Sequence, residues 1–202
     1  MSEDMTLMEV ESRIDQLKEM ARNVELSRIF LYSEIANLER SIGISLSGEK
    51  CFQSICSSTI EPMPENRFYV HLKYEGMLPL YSEDNEYKRK TRQLYNFSTE
   101  KAISSLGKKP NIKNAFVYIV HIFPDLTRRD YDNRGRKFLL DALRYTGVIE
   151  DDNWRNIQIA ESGLSLGLGS SRVEVFVCDV QDKLLLIEHI DNFYVKTLST
   201  FI

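Results

Sequence analysis

The chain has 202 residues, of which 43% are hydrophobic and 28% are charged, and its formal net charge is −4. This length fits one medium domain, or a smaller domain with an extension, and the apolar content is sufficient for a hydrophobic core. No apolar run approaches the roughly 20 residues of a membrane span, and the acidic N-terminus lacks the order of a signal peptide. Three cysteines without a CxxC pair do not form a disulfide framework, so we expect a cytoplasmic protein with reduced thiols that does not enter membranes.

The N-terminal part predicts a coiled coil. Between residues 10 and 42, apolar residues recur at alternating steps of three and four, and Arg28 is the one polar interruption. This is the a/d spacing of a coiled coil. A single helix cannot bury such a stripe, so we expect a partner helix, most simply from a second copy in a homodimer; packing on the protein's own core is the alternative. Pro62 and Pro64 then break the chain, which predicts a helical extension over residues 1–60.

The rest of the chain alternates between strand and helix patterns. It predicts an α/β or α+β domain over residues 66–180, with a small mixed sheet flanked by helices, and a helical tail over 181–202 that packs on the core or on a partner subunit. His121 lies within the most apolar strand, and we interpret it as a core histidine. The predicted strands are 67–73, 115–123, 154–162 and 172–178, and the predicted helices include 85–106 and 133–145.

Positive charge is concentrated in the middle of the sequence. Residues 86–144 contain fourteen Lys or Arg and six Asp or Glu, a balance of +8, which leaves −12 for the remainder. A basic centre between acidic ends is typical of a nucleic-acid-binding module with extensions, although a solvated charged surface is the alternative. In the helix predicted at 85–106, four basic residues are candidates for phosphate contacts: Lys88, Arg89, Lys90 and Arg92.

The stretch 125–153 combines these charges with paired acids. Asp130 and Asp132 are two residues apart in an extended segment, so their side chains point to the same side and repel unless a cation lies between them. Beyond the predicted helix the chain returns to Asp151 and Asp152. Acids from both ends of one helix can meet around a hard cation, and carboxylate oxygens suit Mg²⁺ or Mn²⁺.

A DxD motif alone is more typical of a helix N-cap or an acidic turn. The basic residues around it favour a site that handles phosphate, because an acidic turn does not need them. We assign DNA binding to the polar and basic side chains in this stretch: Arg128, Arg129, Asn133, Arg134 and Arg136.

The order RRDYDN, KFLLDAL, Gly and DD resembles the signature of the RusA family of Holliday-junction resolvases. The resemblance is close over residues 128–152 and looser over 67–178. It implies a homodimeric, Mg²⁺-dependent endonuclease that resolves four-way DNA junctions by paired nicks. Many members are encoded by phages and prophages, which implies the cytoplasm of a bacterium or of a phage-infected host.

The resemblance also implies roles for individual residues. Asp130, Asp132 and Asp152 take the places of the metal-binding catalytic acids, and Asp151 assists them at the metal. Lys137 takes the place of the catalytic lysine, which stabilises phosphate charge.

The spacing departs from the family pattern at one point. Between Asn133 and Asp141 the chain has one residue more than the usual spacing, so Lys137 aligns when counted back from Asp141 and Arg136 aligns when counted forward from Asp132. The heptad helix and the C-terminal tail lie outside the minimal family domain.

The leading expectation is therefore a metal-dependent endodeoxyribonuclease for branched DNA in recombination or repair. The alternative is a non-catalytic DNA-binding or scaffolding protein on the same fold that uses the coiled coil for assembly. A third reading is a coiled-coil adaptor in which nucleic acid plays no part.

Overall fold

The structure is a computed structural model that describes residues 54–129, 134–166 and 171–199, together with individual positions between 10 and 34. Five strands form one mixed sheet in the order β1-β2-β5-β3-β4. The strands are β1 (Cys56–Met63), β2 (Arg67–Glu75), β3 (Ala115–Phe123), β4 (Ile157–Ser165) and β5 (Arg172–Asp179).

Helices cover both faces of this sheet. They are α1 (Asn85–Ser104), α2 (Lys137–Tyr145) and α3 (Lys183–Ser199). Alternate residues of a strand face opposite sides; in β5, Val175 packs in the core beneath α1 and α2, whereas Phe176 packs in the core beneath α3. The expected mixed sheet flanked by helices is confirmed as a mixed α and β fold.

Strands β3 and β4 and the helix between them determine where the site lies. β3 pairs in parallel with β4, from Ala115 opposite Ile157 to Phe123 opposite Ser165. A parallel pair needs a crossover, and α2 supplies it. The chain therefore enters α2 from the carboxyl end of β3 and leaves it towards the amino end of β4. The strand predicted at 115–123 is confirmed.

Strand β1 corrects the predicted domain boundary. It pairs antiparallel with β2 along its whole length, from Cys56 opposite Tyr74 to Met63 opposite Arg67. Proline is tolerated on an edge strand, where one row of N–H groups has no partner, so Pro62 lies within the sheet. The prolines mark a hairpin turn, and the predicted boundary at 60–66 falls inside this hairpin.

Helix α2 begins at Lys137, four residues after its predicted start. Arg134 forms an isolated bridge with Leu80, and the N–H of Gly135 donates to the carbonyl of Pro79 over 2.8 Å. These contacts tie the backbone before the helix to the chain that follows β2. The sequence shows no local sign of them, because the partner residues lie more than fifty positions away.

The C-terminal end of α2 follows the prediction. Gly147 has a φ of +69°, and the N–H of Val148 donates to the carbonyl of Leu143 over 3.0 Å. Glycine adopts this conformation at a helix end without steric cost. Ile149 then forms a parallel bridge with Ile112, which directs the following loop back along the helix.

The C-terminal helix belongs to the core. Leu186, Ile190 and Tyr194 of α3 are buried against the sheet. Of the two arrangements expected for the tail, the structure shows packing on the chain's own core.

The described positions between Val10 and Glu34 are helical, and Leu17, Val24 and Leu31 of the predicted heptad are exposed. The heptad positions from Ile35 onward lie outside the described residues. Within the described part of the chain, no helix is both long and apolar enough to cross a membrane.

Candidate functional site

One face of α2 carries a row of charged side chains, Lys137, Asp141 and Arg144. Residues at i, i+4 and i+7 lie on the same side of a helix. Lys137 Nζ lies 3.2 Å from Asp141 Oδ1, and a terminal nitrogen of Arg144 lies 4.0 Å from the same oxygen. The Asp141 side chain is 6% exposed, whereas Lys137 is 68% and Arg144 is 50% exposed. A buried carboxylate therefore holds two cations whose charged ends reach water.

Helix α1 adds a third cation. Arg92 Nε donates to Asp141 Oδ2 over 3.2 Å, and the Arg92 side chain is 49% exposed. The two helices pack nearby through Tyr95 and Phe138, whose ring centroids are 6.2 Å apart. Burial of an unpaired carboxylate costs free energy, and the contacts of Asp141 with these three cations offset that cost. Arg92 was predicted to contact phosphate, and the structure fixes it beside α2.

The loop after α2 brings two further acids to this face. Asp152 Oδ1 lies 3.3 Å from Arg144, and Asp152 Oδ2 lies 3.9 Å from Lys137 Nζ. Asp151 Oδ1 lies 3.5 Å from Arg144. Lys137 is the first residue of α2, so the acid pair beyond the end of the helix reaches back to its beginning.

Asp151 stabilises the loop that carries Asp152. Its carboxylate accepts hydrogen bonds from the side-chain amide of Asn153 and from the backbone N–H of Asp152. These bonds, with the nearby Arg144, hold the pKa of Asp151 below its usual range. Asp151 therefore stays ionised at neutral pH.

We call these six residues the α2 charge cluster: Arg92, Lys137, Asp141, Arg144, Asp151 and Asp152. The three cations present N–H donors at the surface, where they suit the oxygens of a phosphate. The loop carboxylates supply the oxygen ligands that hard cations prefer. The cluster can thus bind a phosphodiester and can contribute ligands to a metal ion.

The structure distinguishes Lys137 from Arg136. Arg136 donates to Glu161 Oε2 on β4 over 2.6 Å, and Glu161 Oε1 lies 2.7 Å from His121 Nε2. Burial opposes ionisation of Glu161, but the hydrogen bonds from His121 and Arg136 outweigh it and lower its pKa. Of these two cations, Lys137 is therefore the one near Asp152. His121 is the paired core histidine that was expected.

Three predicted site residues, Asp130, Asp132 and Asn133, lie outside the described residues. The structure describes the arginines on either side of them, Arg129 and Arg134, and both contact the protein itself.

Arg129 donates two hydrogen bonds to the carboxylate of Asp125, over 2.7 and 3.0 Å, and its guanidinium lies 5.1 Å from the ring centroid of Phe123. Arg134 donates to the carbonyl of Leu78 over 2.8 Å. These contacts anchor the chain on both sides of the segment that contains the predicted acids. They are intramolecular contacts at residues that the sequence assigned to DNA binding.

The other predicted DNA-binding residues differ in exposure. Arg128 and Arg89 are exposed, and Lys88 and Lys90 are half-buried. Lys90 Nζ lies 3.1 Å from a carboxylate oxygen of Glu86, so a phosphate must compete with this carboxylate for Lys90.

The described acids include only part of the metal-ligand set that the sequence predicts. Among the residues that the structure describes, no three His, Cys, Asp or Glu side chains are arranged to hold a metal ion. Asp151 and Asp152 provide two neighbouring carboxylates. The expected set of three requires Asp130 and Asp132, which are not among those residues.

Sequence reasoning missed Asp141 and Arg144 as members of the site. Asp141 was used only to match a motif, and Arg144 only in the local charge balance. The i, i+4, i+7 row in KFLLDALR was the available signal. This row indicates a site only because Asp141 is buried, and the burial follows from packing of α1 against α2.

Comparison of the chain with protein-family models and with curated protein sequences found no match.

Proposed function

We propose that the protein is a Mg²⁺-dependent endodeoxyribonuclease that cuts branched DNA, with four-way junctions as its substrate. The supporting observation is the approach of Lys137, at the start of α2, to Asp152, in the loop beyond its end, with Nζ and Oδ2 3.9 Å apart. The RusA-like pattern pairs these two residues in one catalytic site.

The path of the chain explains why this contact matters. Asn133 precedes Lys137 by four residues, so the DxDN segment joins α2 at the end that Asp152 reaches. Arg134 anchors the connection through its bond to Leu78. Asp130 and Asp132 would join Asp152 as ligands of a metal ion.

Each residue then has a chemical role. Asp130, Asp132 and Asp152 would hold Mg²⁺, and Asp151 would support the loop and the metal site. A bound metal ion would supply an activated water and stabilise charge on the phosphate. Lys137 donates to a non-bridging phosphate oxygen, where negative charge develops in the transition state. Arg92 and Arg144 bind neighbouring phosphates.

The proposed substrate and assembly share a symmetry. A four-way junction has near two-fold symmetry, and a homodimer presents two equivalent sites about a two-fold axis. The heptad helix is the proposed dimer contact. The cluster cations would neutralise DNA phosphates and release their counterions, so we expect DNA binding to weaken steeply with salt.

A specific observation favours a second candidate, a non-catalytic DNA-binding or scaffolding protein on the same fold. Both carboxylate oxygens of Asp152 face a cation, at 3.3 and 3.9 Å. The α2 charge cluster contains three cations and three carboxylates, so it is electrically balanced without a metal ion.

A gel assay on end-labelled four-way, forked and linear DNA, with and without Mg²⁺, separates the candidates. The nuclease predicts paired nicks in the four-way junction in Mg²⁺, and a mobility shift without nicks in EDTA. The scaffold predicts a shift without nicks in either buffer. If neither shift nor nicks are seen at low salt, both candidates are wrong and the coiled-coil adaptor remains.

A further inference from the structure

The only tryptophan of the chain, Trp154, lies at the surface in the turn that follows the acid pair. Its side chain is 82% exposed. A tryptophan ring offers a large apolar face and is usually well buried in a folded protein. Trp154 follows Asp152 by two residues, so an exposed aromatic ring is carried by the same loop as the acid pair of the α2 charge cluster.

Hydrogen bonds of Asn153 hold the turn that carries Trp154. Asn153 Oδ1 accepts from the backbone N–H of Arg155 over 2.8 Å, and the Asn153 carbonyl accepts from the N–H groups of Asn156 and Ile157, each over 3.1 Å. Asn153 also donates to Asp151 through its side-chain amide. The ring is thus presented by a preorganised turn that is coupled to the proposed site.

Cations lie on both sides of Trp154 in the sequence, with Arg155 directly after it and Arg144 before it. The guanidinium of Arg155 lies 5.2 Å from the Trp154 ring centroid. On the other side, Asp151 connects the turn to Arg144 at 3.5 Å. Surfaces that bind single-stranded nucleic acid combine aromatic faces, on which bases stack, with cations that follow the phosphates.

We propose that Trp154 stacks on an unpaired DNA base next to the phosphate that is cut. This inference rests on the proposed function and specifies its substrate: DNA with an unstacked base at the branch point. Stacking on an aromatic face does not depend on base identity, so Trp154 selects for strand opening and not for sequence.

The emission of Trp154 reports this contact directly, because the chain has no other tryptophan. The experiment titrates the full chain, in EDTA to prevent cutting, with a single-stranded oligonucleotide, its duplex and a four-way junction. DNA binding is followed independently by anisotropy of a label on the DNA. We expect the single strand and the junction to quench Trp154 strongly, and the duplex to quench it less at equal occupancy.

Variants separate stacking from folding. We expect Trp154→Ala to weaken single-strand binding by about tenfold and Trp154→Phe to retain most of it. The matched control is Phe193→Ala, which removes a 58% exposed aromatic ring from α3, on the opposite face of the sheet, and should not alter binding.

The outcomes distinguish this inference from the proposed function. DNA binding at unchanged Trp154 emission, or equal binding by Trp154→Ala, overturns the stacking while nicking can still be observed. Emission that changes with protein concentration in the absence of DNA, and does not change further when DNA binds, overturns it in favour of a contact between protein copies. If no DNA binds, both the stacking and the proposed function are overturned.

Discussion

Two buried carboxylates, Asp141 and Glu174, each contact several polar side chains, but these partners differ in their exposure to solvent. Glu174 on β5 bonds to Arg172, to His71 Nε2 at 2.9 Å and to the hydroxyl of Tyr194 at 3.0 Å. The side chains of His71 and Arg172 are only 24% and 18% exposed, and Tyr194 is buried. The three cations around Asp141 are 49% to 68% exposed.

The difference separates a structural network from a surface that can bind a ligand. Glu174 connects β2, β5 and α3, and its partners are turned inward, so its charge is used within the fold. Asp141 connects α1 and α2 but leaves the ends of its partners in water. Burial of the partners, more than burial of the carboxylate itself, indicates which network a phosphate can reach.

The largest expected effect is on the stability contributed by Glu174. The substitution Glu174→Gln leaves the partly buried guanidinium of Arg172 without its counter-charge and weakens the contact with His71, so we expect the free energy of unfolding to fall by roughly 3 kcal/mol. Urea denaturation at neutral pH measures this loss. Junction cleavage per folded molecule should be unchanged, because Glu174 lies in the layer beneath α3.

The contrasting variant is Asp141→Asn. Its partners are exposed and become hydrated, so we expect a loss of about 1 kcal/mol in stability but a roughly tenfold lower cleavage rate. If Asp141→Asn destabilises the protein more than Glu174→Gln and leaves cleavage intact, the distinction between the two networks is wrong.

The next prediction compares the nicking rates of variants at two adjacent cations, Lys137 and Arg136. Lys137→Ala should slow junction nicking by about 100-fold, because it removes the donor beside Asp152. Arg136→Ala should slow nicking far less, because Arg136 is bound to Glu161. Single-turnover nicking rates measure both. A larger effect at Arg136 would show that Arg136 fills the position of the family's lysine.

The smallest effect is the pH dependence that Glu174 confers. Burial opposes its ionisation, but the hydrogen bonds from His71 and Arg172 lower its pKa from 4.5 to about 2. Because the folded-state pKa of Glu174 is depressed, its contribution to the free energy of unfolding is fully present above pH 4.5. This contribution is lost as the pH falls towards 2. We expect about 1 kcal/mol to be lost by about pH 3.5, as measured by urea denaturation across this range. Glu174→Gln should lack this component, and an identical pH profile for the variant would contradict the assignment.

The sequence predicted elements whose patterns are local. The apolar run 115–123 gave β3 with its observed bounds, because a central strand is buried on both faces. The edge strand β1 was missed because its serines and proline resemble a linker. The start of α2 was missed because Gly135 is held by Pro79, a contact that only the tertiary fold brings about.

The candidate site was predictable only where it depends on residues that are close together in the sequence. The paired acids and the nearby cations could be found from the motif. The choice between Lys137 and Arg136 could not be made, because the residue that binds Arg136 is Glu161 on β4. The inclusion of Asp141 depends on its burial between two helices, which spacing along the chain does not reveal.

The most direct test of the proposed nuclease is the nicking of a four-way junction by Asp152→Asn in Mg²⁺, with binding measured in EDTA. The proposal predicts that nicking falls by at least about 100-fold, while binding is retained because the variant loses a negative charge but keeps Lys137 and Arg144. The control Glu188→Gln removes an exposed carboxylate from α3 and should cut at the rate of the unmodified protein. If Asp152→Asn nicks the junction as fast as the unmodified protein, Asp152 is not a ligand of the catalytic metal and the proposal is contradicted.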